Sequence, residues 1–156
     1  ECGEWIESGE AAGIKQAPLA AGTLRTAKRT KDYVNKAYST TIEQRISKEL
    51  RDALRETVPS SLSSTERVQW RLHENWRFVR YDAGDVFQPH VDQRDSIRTL
   101  SKDNKPIQTV SFYTMIISLS DDYEGGCTSF YPTKDYNHRI DVSLPKGWAL
   151  LFYQPS

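Results

Sequence analysis

The chain has 156 residues, with 21 Lys+Arg balanced by 21 Asp+Glu, so its formal net charge is zero and nothing pulls it as a whole toward nucleic acid or an anionic membrane. Four Trp, eight Tyr and five Phe suit a β-rich core and argue against disorder. No apolar run reaches the length of a membrane span and no signal-peptide core is present, so the expectation is one domain with no membrane segment.

The chain opens on Glu1 and not Met, and the expectation is that a native N-terminus, with any targeting segment, has been removed. Residues 2–13 read as a short helix ended by Gly13, with Cys2, Trp5, Ile6 and Gly9 on one stripe. Residues 14–40 are basic and poorly periodic; Arg25, Lys28, Arg29 and Lys31 read as a solvated face. Thr41–Val58 is the clearest helix. Ile42, Ile46, Leu50, Leu54 and Val58 recur every four residues, Thr41 and Gln44 resemble a capping box, and Pro59 stops it. Residues 1–70 thus read as helical support, and residues 60–64 as a polar connector. The two cysteines, Cys2 and Cys127, lie far apart and read as free, buried thiols, which favours a reducing, cytoplasmic setting.

From Trp70 the period becomes strand-like, with a strand expected over Asn75–Tyr81. An Asp-Ala-Gly-Asp turn follows, where Gly84 can take a positive φ, and Val86 and Phe87 resume a strand that reaches His90. Pro89 suits an edge or a strand start. His90 and Asp92 stand two apart, so an extended backbone turns both toward one side. An imidazole nitrogen and a carboxylate oxygen can then meet on one metal ion, supplying two ligands of a 2-His-1-carboxylate triad.

Gln93–Pro106 reads as a charged loop. Gln108–Leu119 is the best strand: Phe112, Thr114, Ile116 and Ser118 share a face suited to lining a pocket, and Tyr113, Met115, Ile117 and Leu119 share the other. Turns are expected at Asp121–Gly126 and Asp135–His138, and strands at Cys127–Tyr131, Arg139–Leu144 and Trp148–Tyr153. Short antiparallel strands after helices give an α+β fold with a double-stranded β-helix (jelly-roll, cupin-like) core over residues 71–156 and N-terminal bracing helices.

Arg77-Phe78-Val79-Arg80-Tyr81 followed by Gly84, Phe87, His90 and Asp92 resembles the entry motif of the 2-oxoglutarate- and Fe(II)-dependent dioxygenases, in their prolyl 4-hydroxylase-like branch. Phe112–Ser120 with Tyr123-Glu124-Gly125-Gly126-Cys127-Thr128-Ser129-Phe130 resembles a second block of that branch, and Val142, Pro145, Gly147, Ala149, Leu150 and Phe152 a third. The resemblance implies Fe(II) held by His90 and Asp92, and 2-oxoglutarate bound by Tyr81, Thr114, Ile116 and Ser118, with ascorbate as an optional reductant. It also implies hydroxylation of a C–H bond in a small molecule or peptide, peptidyl proline being the default. The branch often has tyrosine where Ser118 stands, which puts one hydrogen bond to the far carboxylate in doubt.

The branch's second histidine and a following Lys or Arg come after its last strand, and this chain stops at Ser156 before either. His138 comes too early for that ligand and reads as a surface turn residue; His73 reads as a satisfied or exposed one. The expectation is that the parent protein continues, and that the fragment itself holds metal loosely. The competing readings are a non-catalytic jelly-roll module that kept the scaffold, and a cupin-like metalloenzyme without 2-oxoglutarate.

Overall fold

The computed structural model describes residues 1–16, 26–30, 33–34, 52, 72–73, 75–100, 103–104, 106–132 and 136–154. The helix expected over Thr41–Val58, its Pro59 stop and the connector after it lie outside the described residues, Asp52 excepted. The chain divides into two compact units, Glu1–Lys31 with Phe78–Ser156, and Asp32–Arg77. The described architecture is mixed α+β, with one helix and small antiparallel sheets that do not close into a barrel among the described residues.

In the first unit, helix α1 spans Cys2–Ala11, with Glu4 favourably placed in its first turn. Gly13, at φ +82°, ends it as the sequence predicts, its N–H donating to the Glu10 carbonyl at 3.0 Å. Gly9 is buried in α1 because Phe78 lies against it: a Cβ there would fall 2.7 Å from Phe78 Cγ. Of the expected stripe only Gly9 is buried, with Ile6 38% exposed, and this smallest residue lets an aromatic ring approach the helix backbone.

A three-stranded sheet joins β1 (Lys15–Gln16), β2 (Lys28–Arg29) and β5 (Val79–Arg80) in the order β1-β2-β5. Beside it Ala27 is fully buried and Thr30 is 1% exposed. Thr30 is tolerated there because its hydroxyl accepts the Phe78 N–H at 3.1 Å while its own N–H donates to the Phe78 carbonyl at 3.0 Å. Ion pairs rim this sheet: Lys28 with Asp82, and Arg80 with both Glu10 and Asp82. The second unit contributes β3 (Tyr33–Val34) paired with β4 (Asn75–Trp76). The single strand expected over Asn75–Tyr81 is therefore two short ones with different partners. Phe78 interrupts it by bonding to Thr30.

The stretch read as a charged loop, Gln93–Pro106, contains strand β6 (Ser96–Leu100), which forms a hairpin with β7 (Pro106–Val110). Asn104, at φ +58°, sits in the connection. The long strand expected over Gln108–Leu119 is likewise two. β7 pairs with β6, whereas β8 (Tyr113–Ile117) pairs with β11 (Ala149–Tyr153). The change of partner occurs at Ser111 and Phe112. The Ser111 N–H donates to the Asp95 carbonyl at 2.9 Å, and the Phe112 carbonyl accepts the Gln154 N–H at 2.8 Å. Strands that leave one sheet for another turn such corners.

β9 (Thr128–Phe130) pairs with β10 (Ile140–Val142), and Phe130 meets Phe152 of β11 edge-on at 5.1 Å between ring centres. Gly125 and Gly126 both take positive φ in the expected turn, and Gly147 does so in the Pro145–Trp148 turn that leads into β11. Both cysteines are free thiols, with Cys127 exposed rather than buried. No helix among the described residues is long and apolar enough to cross a membrane.

Candidate metal centre

The site is built from the turn upward. The Asp85 N–H donates to the Asp82 carbonyl at 2.9 Å and the Asp85 carboxylate takes the Asp82 N–H at 2.8 Å, closing the turn around Gly84 at φ +84°. Val86 then docks on Thr26, its N–H donating to the Thr26 hydroxyl at 2.8 Å and its carbonyl accepting the Thr26 N–H at 2.9 Å. Beyond an isolated bridge at Phe87, residues 88–95 join no ladder, so the strand expected to carry His90 is absent. The two side chains converge nevertheless: His90 Nε2 lies 3.2 Å from Asp92 Oδ1, with the side chains 33% and 29% exposed.

The orientation of His90 is set from two sides. Its ring stacks on Phe87, centres 3.8 Å apart and planes 22° from parallel. Its Nδ1 is 2.8 Å from the Gln88 carbonyl oxygen. A carbonyl oxygen can only accept, so Nδ1 carries a hydrogen and Nε2 is the ring nitrogen that faces the carboxylate. Two acceptors 3.2 Å apart are stable only with a positive charge to share, either a proton on Nε2 or a cation bound by both. Two ligands at about 2.1 Å from one ion and about 90° apart, as in an octahedral site, stand roughly 3.0 Å from each other, close to the observed separation, which an imidazole–carboxylate hydrogen bond gives as well. Imidazole nitrogen with carboxylate oxygen is a donor set suited to Fe(II).

The carboxylate is held as firmly. The Thr114 hydroxyl donates to Asp92 Oδ2 at 2.6 Å, and Gln154 Nε2 donates to Thr114 Oγ1 at 2.8 Å. The Ser111 hydroxyl donates to Gln154 Oε1 at 2.8 Å, and the Asp95 N–H donates to Ser111 Oγ at 2.8 Å. Gln154 is only 7% exposed. Arg94 closes over this end of the β8–β11 ladder, donating to the Gln154 carbonyl and the Tyr153 hydroxyl and lying 4.8 Å from the centre of the Phe112 ring.

Of the residues singled out from sequence, His90, Asp92 and Thr114 come together. Ile116 is on the same face of β8 as Thr114 and is exposed. The Ser118 hydroxyl donates to the Ser120 carbonyl at 2.9 Å, so it serves its own turn. Tyr81 is 52% exposed at the end of β5. His138 is exposed in the approach to β10. Among the described residues no group of three or more His, Cys, Asp and Glu side chains gathers as a metal cluster, so His90 and Asp92 stand as a pair.

Gln154, Ser111 and Arg94 escape a reading by motif. The register explains Gln154: Thr114 pairs with Phe152, so Gln154 is its diagonal neighbour across the ladder, within reach of a long side chain. A polar residue directly after the apolar run Ala149–Tyr153 was the available signal.

The chain matches no model of a known protein family, and no solved structure matches it.

Proposed function

We propose that this chain carries part of the iron site of a 2-oxoglutarate- and Fe(II)-dependent dioxygenase of the prolyl 4-hydroxylase-like kind, its sheets belonging to a jelly roll. The observation that carries this reading is the 3.2 Å approach of His90 Nε2 to Asp92 Oδ1, which brings an imidazole nitrogen and a carboxylate oxygen within reach of one ion. The ordered resemblance over Asn75–Phe152 supports it.

In this reading His90 and Asp92 hold the ion. Gln88 and Phe87 fix the tautomer and plane of the imidazole, and Thr114 holds the carboxylate. When bound, Fe(II) with 2-oxoglutarate and O2 supplies the oxidation: 2-oxoglutarate becomes succinate and CO2 with one oxygen atom, and the other oxygen atom enters a substrate C–H bond. Ascorbate would be an auxiliary reductant. Tyr81, Ile116 and Ser118 are the further residues assigned to the cosubstrate, and peptidyl proline is the first substrate class to try.

The test starts from the metal. Fe(II) or Co(II) should bind the chain and give a visible spectrum, which 2-oxoglutarate should alter under anaerobic conditions. His90→Ala and Asp92→Ala should each abolish both signals. Metal binding that survives either substitution would overturn the assignment, and a spectrum indifferent to 2-oxoglutarate would remove the cosubstrate from it.

A further inference from the structure

Resting on that iron-site reading, we propose that Gln154 is a positioning residue for the metal carboxylate. Acting through Thr114, it fixes the rotation of the Asp92 carboxylate, so that one oxygen is held by Thr114 and the other faces His90.

The argument is one of proton counting. The chain of hydrogen bonds starts at the Asp95 backbone N–H, which can only donate, and ends at an ionised Asp92 carboxylate, which can only accept. Between them stand two hydroxyls and one amide. The Thr114 hydroxyl has one hydrogen and makes two contacts, 2.6 Å to Asp92 Oδ2 and 2.8 Å to the Gln154 amide. If its hydrogen goes to Asp92, the Gln154 group facing it must be the NH2. The amide oxygen then faces Ser111, whose hydroxyl supplies the hydrogen it needs at 2.8 Å. Were the amide reversed, Thr114 would face two acceptors with one hydrogen. The direction is therefore forced at every link.

The backbone of Gln154 is fixed as well. Its N–H donates to the Phe112 carbonyl, its own carbonyl accepts from Arg94, and the residue is 7% exposed. The consequence falls on Asp92. With Oδ2 occupied by Thr114, Oδ1 alone is left beside His90 Nε2. Arranging the carboxylate before the ion arrives removes an ordering cost from binding.

The test is Co(II) titration of the full chain, followed by absorption, with thermal unfolding measured without metal. Gln154→Glu keeps size and the acceptor for Ser111 but removes the NH2, so that two carboxylates compete for the single Thr114 hydrogen. It should weaken Co(II) binding about 10–100-fold, as loss of an outer hydrogen-bond partner does. Thr114→Val should do the same, and Thr114→Ser, which keeps the hydroxyl, should restore affinity close to that of the original chain. If Gln154→Glu does not fold, Gln154→Met, which keeps the length and removes the amide, takes its place with the same expected loss of Co(II) affinity. Co(II) affinity unchanged in Gln154→Glu or Thr114→Val, while His90→Ala abolishes it, would overturn the positioning role and leave the iron site standing. No Co(II) binding by the original chain would sink both.

Discussion

Two regions of the first unit solve the same problem, holding a polar group in place, by different means. Around α1 and β5 the constraint is space: Gly9 admits the Phe78 ring, and the buried Thr30 exists to satisfy the Phe78 backbone. Around β8 and β11 the constraint is direction: Ser111, Gln154 and Thr114 pass hydrogen bonds one way to Asp92. Close packing is indifferent to polarity but intolerant of volume. A hydrogen-bond chain tolerates small changes in shape but not the loss of a donor. The first fixes a packing distance and the second fixes the orientation of one carboxylate.

The contrast can be broken from either side. Gly9→Ala should cost the most: overpacking of about 1–3 kcal/mol outweighs a helix-propensity gain of roughly 0.5–1 kcal/mol, because the contacted atoms are Phe78 Cγ, Cδ1 and Cβ, close to its own backbone. Chemical denaturation should show lower stability, with Co(II) affinity of the folded protein untouched. Weakened metal binding in that variant would mean that the two regions are not separate. Thr30→Val should come next, at about 1 kcal/mol, since it preserves shape and removes one acceptor from the Phe78 N–H. Thr114→Val should lower stability about as much as Thr30→Val, since it too leaves hydrogen-bonding groups unpaired, and unlike Thr30→Val it should also weaken Co(II) binding.

The smallest effect concerns pH. Hydrogen bonding from Lys28, aided by the charge of Arg80, holds the Asp82 carboxyl below its ordinary value despite some desolvation. A depressed carboxylate contributes stability above its unfolded pKa and loses it as pH falls through the folded value. Stability measured from neutral to acid pH should therefore fall less steeply in Asp82→Asn than in the original chain. The difference should shrink in high salt, since the pair is exposed. An identical slope would mean that this ion pair contributes nothing.

Much of the local geometry was legible in the sequence because it follows from single residues. Gly13, Gly84, Gly125 and Gly126 take positive φ where turns and a helix end were expected. The α+β class and the strands at Thr128–Phe130, Ile140–Val142 and Ala149–Tyr153 follow from alternation and turn spacing. What escaped was pairing. Nothing in the residues from Gln108 to Leu119 says that a run of strand formers changes partner at Ser111 and Phe112. β6 hid in a charged stretch because Arg98 and its polar neighbours mask the alternation, although Asp103-Asn104 marks a turn between two β-rich segments. Gln154 escaped for the same reason, as its importance comes from which residue it faces. The meeting of His90 and Asp92 was anticipated from strand geometry, yet it arises in irregular chain from stacking and a carbonyl contact.

The corner at Ser111 and Phe112 acts as a gear tooth shared by two ladders. A one-residue slip of β8 against β11 at that corner would leave the β6–β7 hairpin intact, yet turn every β8 side chain to the opposite face. Thr114 would then point away from Asp92, and that carboxylate would lose its brace with neither His90 nor Asp92 having been altered.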